Sequence, residues 1–212
     1  MRGVLVVCCM ALLGCVSIRM AREAEAPPGD PDLRAEAAYQ RVLEQHTLEK
    51  AVLDGLNMQA VLAATLQQPA FAQARIRRIG SLRAWPEDKI QLEWENESRR
   101  LEGLTEFFVG LQTASLRHND LDMRSSLWQL SLRVGNQVYF PSHVRRLGRS
   151  TVDMRSLYPY MGLAWVGYRV QFPVELKPPF GATLVISSSL GRVAFLYVAQ
   201  EEGQVAAQVI TP

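Results

Sequence analysis

Apolar positions change their spacing once along this chain, near Gly103. Before that glycine they recur at helical intervals. Tyr39 and Leu43, and Ala38 and Val42, are four apart and share a face of a helix expected over Leu33 to Leu48, with Asp30 as N-cap and Pro31 at the first helical position. Leu53, Leu56, Ala60 and Ala63 continue at three-four-three spacing, while Met58, Leu62 and Leu66 fill the adjoining face. A helix apolar over so much of its circumference is normally buried, so Val52 to Gln67 reads as the centre of a bundle, broken at Gly55 or started near Asn57. Pro69 suits the start of a third helix that turns Ala72, Ile76 and Ile79 inward and Arg75, Arg77 and Arg78 mostly outward. Pro86, followed by Glu87 and Asp88, marks a fourth, anchored by Ile90, Trp94 and Leu101, with its acidic groups at the positive end of the helix dipole.

After Gly103 the period falls to two. Phe107, Val109 and Leu111 alternate with their neighbours, as do Trp128, Leu130, Leu132 and Val134. Gly135-Asn136 is a two-residue hairpin turn into Val138-Tyr139-Phe140. Val166, Tyr168, Val170 and Phe172 form another strand, Thr183 to Ser188 and Arg192 to Val198 a further pair, and Gln204 to Ile210 one more. The expected fold is α+β: an N-terminal helical bundle over 33–103, packed on a C-terminal antiparallel β-sandwich of immunoglobulin-like type over 104–212. A helical unit of that size is small for an independent domain, and no linker separates Leu101 from Phe107, so the two parts are expected to pack together.

The first residues follow a third pattern. Arg2 precedes an apolar run from Val4 to Leu13, too short to span a bilayer, which takes about 20 apolar residues, but suited to the core of a secretory signal. The run ends in Leu12-Leu13-Gly14-Cys15, which resembles the lipobox of bacterial lipoproteins. That resemblance implies a signal peptide over 1–14, cleavage before Cys15, and membrane attachment through the acylated Cys15. Val16, where Asp would favour the inner membrane, points to the outer membrane with the folded part facing the periplasm. The alternative is an ordinary signal cut near Ala21 to Ala26. Residues 15–32, ending in Pro27-Pro28-Gly29-Asp30-Pro31, lack apolar periodicity and read as anchor and flexible tether.

A looser resemblance covers most of the remaining chain. His46-Thr47, Ala63-Ala64-Thr65-Leu66 with Pro69-Ala70-Phe71, Phe107-Phe108-Val109, Asn119-Asp120-Leu121 and Ser126-Leu127-Trp128-Gln129-Leu130 are similar to lipoproteins of myxobacteria and their relatives, which carry no assigned activity. It bears on location and architecture alone.

Composition narrows the chemistry. On the lipobox resemblance Cys8 and Cys9 would leave with the signal and Cys15 would be acylated, so the mature chain would carry no thiol for a disulfide or a thiol enzyme. A net charge of +2 argues against a nucleic-acid surface. Serines are plentiful, but Gly-x-Ser-x-Gly is absent. Glu93, Glu95 and Glu97 lie on one predicted helix, where Glu97 pairs with Arg100 at three-residue spacing, and read as a solvated charged face. Arg75, Arg77, Arg78 and Arg83, and Arg145, Arg146 and Arg149, are basic runs that either solubilise the chain or meet anionic head groups.

Two stretches carry candidate sites. His118, Asp120 and Asp122 could supply ligands to a metal, against a plain turn in which Asn119 and Asp120 bond their own backbone. Tyr158, Tyr160, Met161 and Trp165 surround Pro159 and Gly162 in a loop and are residue types enriched where partners bind; the competing reading buries these rings against the helices. The expected function is a lipid-anchored periplasmic interaction or accessory module of the cell envelope, with the membrane and an envelope protein as partners, no cofactor and no catalysis. The alternative is a ligand-binding or hydrolytic lipoprotein acting on cell-wall or lipid material.

Overall fold

The computed structural model describes residues 31–200 and 205–210. The expected signal, Cys15, and the tether up to Asp30 lie outside the described residues. In chain order the elements are α1 (Pro31–His46), β1 (Thr47–Asp54), β2 (Asn57–Leu66), α2 (Pro69–Leu82), α3 (Glu87–Leu101), β3 (Thr105–Thr113), β4 (Gln129–Val134), β5 (Gln137–Tyr139), β6 (His143–Arg149), α4 (Val152–Leu157), β7 (Val166–Phe172), β8 (Phe180–Ser188), β9 (Gly191–Ala199) and β10 (Val205–Ile210). The class is mixed α+β. The strands form two five-stranded antiparallel sheets, in the orders β1-β2-β3-β7-β6 and β10-β9-β8-β4-β5.

Alternation places the sandwich core. Ala60, Leu62, Ala64 and Leu66 of β2, Phe107, Val109 and Leu111 of β3, and Tyr168, Val170 and Phe172 of β7 face Leu132, Leu184, Ile186, Phe195 and Tyr197 of the second sheet in one buried cluster. The Tyr197 hydroxyl donates to the Ala64 carbonyl at 2.7 Å, tying one sheet to the other. Loss of the next layer would leave the other face of the first sheet bare: a second buried cluster joins Tyr39 and Leu43 of α1 and Phe71 of α2 to Ala63 and Phe108 of that sheet. The molecule therefore has three layers, helices on sheet on sheet.

The expected helix over Val52 to Gln67 is instead the β1–β2 hairpin, paired from Thr47↔Thr65 to Asp54↔Asn57. Its turn is Gly55-Leu56, and Gly55 takes the left-handed φ of +60° that a two-residue hairpin turn needs. The physical reason for the misreading is burial of β2 on both faces: Ala60, Leu62, Ala64 and Leu66 enter the sandwich while Ala63 meets the helices. Such a strand reads as an unbroken apolar run, which periodicity cannot tell from a buried helix.

Residues 33–103 thus hold three helices and a hairpin, not a helical bundle, and the hairpin completes the first sheet. Nor do the strands divide four and three, as in an immunoglobulin constant domain. β6 and α4 have no counterpart among the expected elements, and the rest fall close to expectation. α2 begins at Pro69, and α3 begins after Pro86 with Glu87 and Asp88 in its first turn.

Candidate functional site

The outward face of the first sheet is where the chain gathers aromatic and charged groups. Tyr158 stacks on Phe108 of β3 with ring centroids 3.7 Å apart and planes 1° from parallel. Met161 and Trp165 lie over Gly110 of the same strand so closely that a Cβ there would stand 2.8 Å from Trp165 Cε3. The Tyr160 and Thr65 hydroxyls are bonded at 2.7 Å, and Thr65 Oγ1 is 2.8 Å from Thr47 Oγ1. Tyr39 of α1 donates its hydroxyl to the Leu157 carbonyl at 2.7 Å.

The expected partner-binding loop is therefore an internal seal. Tyr158 keeps 6% of its surface exposed, Met161 2% and Trp165 5%, and Tyr160 is partly buried. Rings that would anchor a partner are spent on α1, α2 and β3, because glycines at 110 and 167 leave the sheet face hollow and something large must fill it.

His46 closes the same layer at the end of α1. Its Nδ1 donates to the Val42 carbonyl at 2.8 Å, its ring centroid is 5.7 Å from that of Phe71, and its buried Nε2 has no hydrogen-bond partner. Burial disfavours the imidazolium and outweighs the Val42 bond, so the pKa falls below the ordinary value. The unfolded chain then takes up this proton first as the pH drops. Stability is whole above the free imidazole value of about 6.5 and is lost below it. Thermal melts should show a lower Tm at about pH 5.5 than at about pH 7.5, with a smaller drop in His46→Gln; an equal drop in that variant would place the titrating group elsewhere.

The stretch expected to bind metal closes one end of the sandwich. The His118 carbonyl accepts the Trp128 indole N–H at 2.7 Å, and the buried Asn119 carbonyl accepts from Arg146 Nη1 at 2.9 Å. Asp120 Oδ1 accepts from Ser126 Oγ at 2.9 Å, and Asp122 lies 4.0 Å from Arg146. Among the described residues no three His, Cys, Asp or Glu side chains converge as a metal site, and the stretch of His118, Asp120 and Asp122 forms a turn that holds Leu121 and Trp128 in the core.

The charged groups of α2 and α3 meet in a partly buried network. Arg100 donates twice to Glu97, each bond 2.8 Å, and also pairs with Glu106 of β3, Nη2 to Oε1 being 2.9 Å. Glu106, whose side chain is 4% exposed, also accepts from Gln171 Nε2 at 2.9 Å and lies 3.4 Å from Arg169 Nε. Arg75 pairs with Glu97 from α2. Burial alone would raise the Glu97 carboxyl, but the bonds and charges of Arg100 and Arg75 outweigh it and hold the pKa below the ordinary value. Glu97 is a fixed anion at neutral pH, unsuited to general-acid work.

Two expectations are corrected here. Glu97 is not on a solvated face, and Arg75 and Arg78 do not point outward: their side chains are 13% and 17% exposed. Arg78 donates to the Ser156 carbonyl at 2.7 Å, pairs with Glu36, and lies over the Tyr39 ring at 4.7 Å, so it staples α1 and α4 to α2. The signal that was available for Glu106 was a lone carboxylate inside the apolar run from Thr105 to Leu111. A buried charge needs partners, and Arg169 on the neighbouring strand supplied one.

Apolar side chains are also exposed on the molecule. Val138 and Phe140, beside the open edge of β5, are 50% and 69% exposed, and a second exposed group lies at the β1–β2 end of the sandwich. Comparisons with protein-family models, with curated proteins and with solved structures find no match.

Proposed function

We propose that this chain is a lipid-anchored interaction module of the bacterial envelope, held at the outer membrane by acylated Cys15 and facing the periplasm, where it contacts an envelope protein along β5. The lipobox-like Leu12-Leu13-Gly14-Cys15 supports the anchor. The observation that carries the interaction reading is the contrast between two sheet edges.

β6, at the margin of the first sheet, is guarded. Exposed Arg145, Arg146 and Arg149 line it, and its register breaks between Arg146 and Gly148. Charges and bulges are the usual devices that stop a foreign strand from pairing. β5, at the margin of the second sheet, pairs with β4 on one side and carries no charge over Gln137-Val138-Tyr139-Phe140. An extended partner segment added there gains main-chain hydrogen bonds and apolar contact with Val138 and Phe140.

A photo-crosslinking residue at Val138 in cells tests this, with one at exposed Asp88 on α3 as control. An envelope protein joined at 138, absent at 88, lost in Phe140→Asp and lost in Cys15→Ser is the expected result. No adduct at 138 from the acylated, folded protein would sink the proposal.

A further inference from the structure

We infer that the β1–β2 end of the sandwich docks onto an anionic lipid surface; the inference rests on the lipid-anchored reading, which brings a bilayer within reach. Leu53 and Met58 face each other across the hairpin and Leu56 stands at its turn, with exposures of 62%, 46% and 102%. The Ala114 amide donates to the Gln59 carbonyl at 2.9 Å, which sets Leu116, 57% exposed, beside that hairpin. Leu163, 77% exposed, follows Gly162, next to the Gln112 side chain of β3, the strand that pairs with β2. Met123, 58% exposed, belongs to the loop that closes the same end.

These six side chains come from three separate loops, each with apolar groups at its apex. Leu116 and Met123 are each followed by an exposed arginine, Arg117 and Arg124, and neither arginine has an ionic partner among the described residues. The opposing charges at this end are Asp54 in the hairpin and Asp120 and Asp122 in the loop of Met123, of which Asp120 accepts from Ser126 Oγ and Asp122 lies 4.0 Å from Arg146. Apolar side chains beside free cations suit the interface of an anionic bilayer, where the first enter the acyl boundary and the second meet phosphate.

The chain between Cys15 and Pro31 makes the encounter geometrically open. Its sixteen steps (31 − 15) span at most about 55 Å when extended, against strands and helices of up to about 33 Å, so the folded part can turn this end toward the membrane that holds Cys15.

Vesicle flotation of the chain lacking residues 1–15, which leaves every described element whole, tests the inference without the anchor. With phosphatidylcholine vesicles containing about a third phosphatidylglycerol, the chain should float, and less so as salt rises. Leu56→Asp combined with Leu163→Asp should weaken partitioning by about tenfold or more, while its melting curve stays that of the parent because both positions are exposed. Absence of flotation, or flotation unchanged by the double substitution, overturns the inference. So does a concentration-dependent dimer that the same substitutions break, since the occupant would then be a second copy. Incorporation of labelled fatty acid at Cys15 in cells is read separately, so failure of the anchor reading is distinguishable from failure of this one.

Discussion

Glu106→Ala should lower the unfolding free energy by roughly 3 kcal/mol, the lower part of the range for breaking a buried ion pair, because its two arginines are not fully buried. Arg100 and Arg169 retain 28% and 32% side-chain exposure while Glu106 retains 4%. Removing the carboxylate leaves the Arg169 guanidinium and the Gln171 amide without this partner, and Arg100 with Glu97 alone, at the junction of α3, β3 and β7. Glu106→Gln restores a hydrogen-bonding group without the charge and should cost less. Glu95→Ala, exposed on α3, should stay within about 0.5 kcal/mol. Denaturant unfolding of the three variants checks the order. A Glu106→Ala protein as stable as Glu95→Ala would mean that the network does not hold the helices to the sheet.

Acid should weaken the same junction. The folded pKa of Glu97 is depressed, so its contribution is present above the unfolded glutamate value of about 4.3 and is lost as the pH falls through the folded value. This loss lies below the window set by His46.

How legible these features were depends on how many faces each element buries. β4 and β7 alternate cleanly in the sequence, and the helices that begin at Pro69 and after Pro86 declared themselves by their starts. β2 did not, since both of its faces are covered and alternation disappears when nothing polar is left to alternate with. β6 failed for the opposite reason. Its Val144 packs on the sandwich core, whereas the surrounding arginines read as a basic run. α4 is six residues long, too short for a helical period to register. The ionic network was invisible because its members come from α2, α3, β3 and β7, and only the Glu97–Arg100 pair is local. Residue type suggested that Tyr158, Met161 and Trp165 meet something large and apolar. Whether that surface belonged to another protein or to this one depended on the long-range path of the chain.

Trp165→Ala separates those two possibilities. In the present arrangement the indole packs over Gly110, near Gly162, with its ring centroid 6.2 Å from that of Tyr160. Truncation leaves a cavity between the loop and the first sheet, and a change of this kind costs about 3–5 kcal/mol when the walls do not collapse. Tyr158→Ala should cost a similar amount, since it also removes the stack on Phe108. Both variants are expected to lower the denaturation midpoint sharply. Leu163→Ala, two residues from Trp165 but 77% exposed, should leave it nearly unchanged. If Trp165 were a contact for a partner, the order would reverse: stability would be kept and crosslinking at Val138 or flotation would be lost from a fully folded protein. Measuring the denaturation midpoint before any binding assay therefore decides what a loss of binding in these variants means. The burial of Trp165 requires that any loss of binding in these variants follow from their loss of stability.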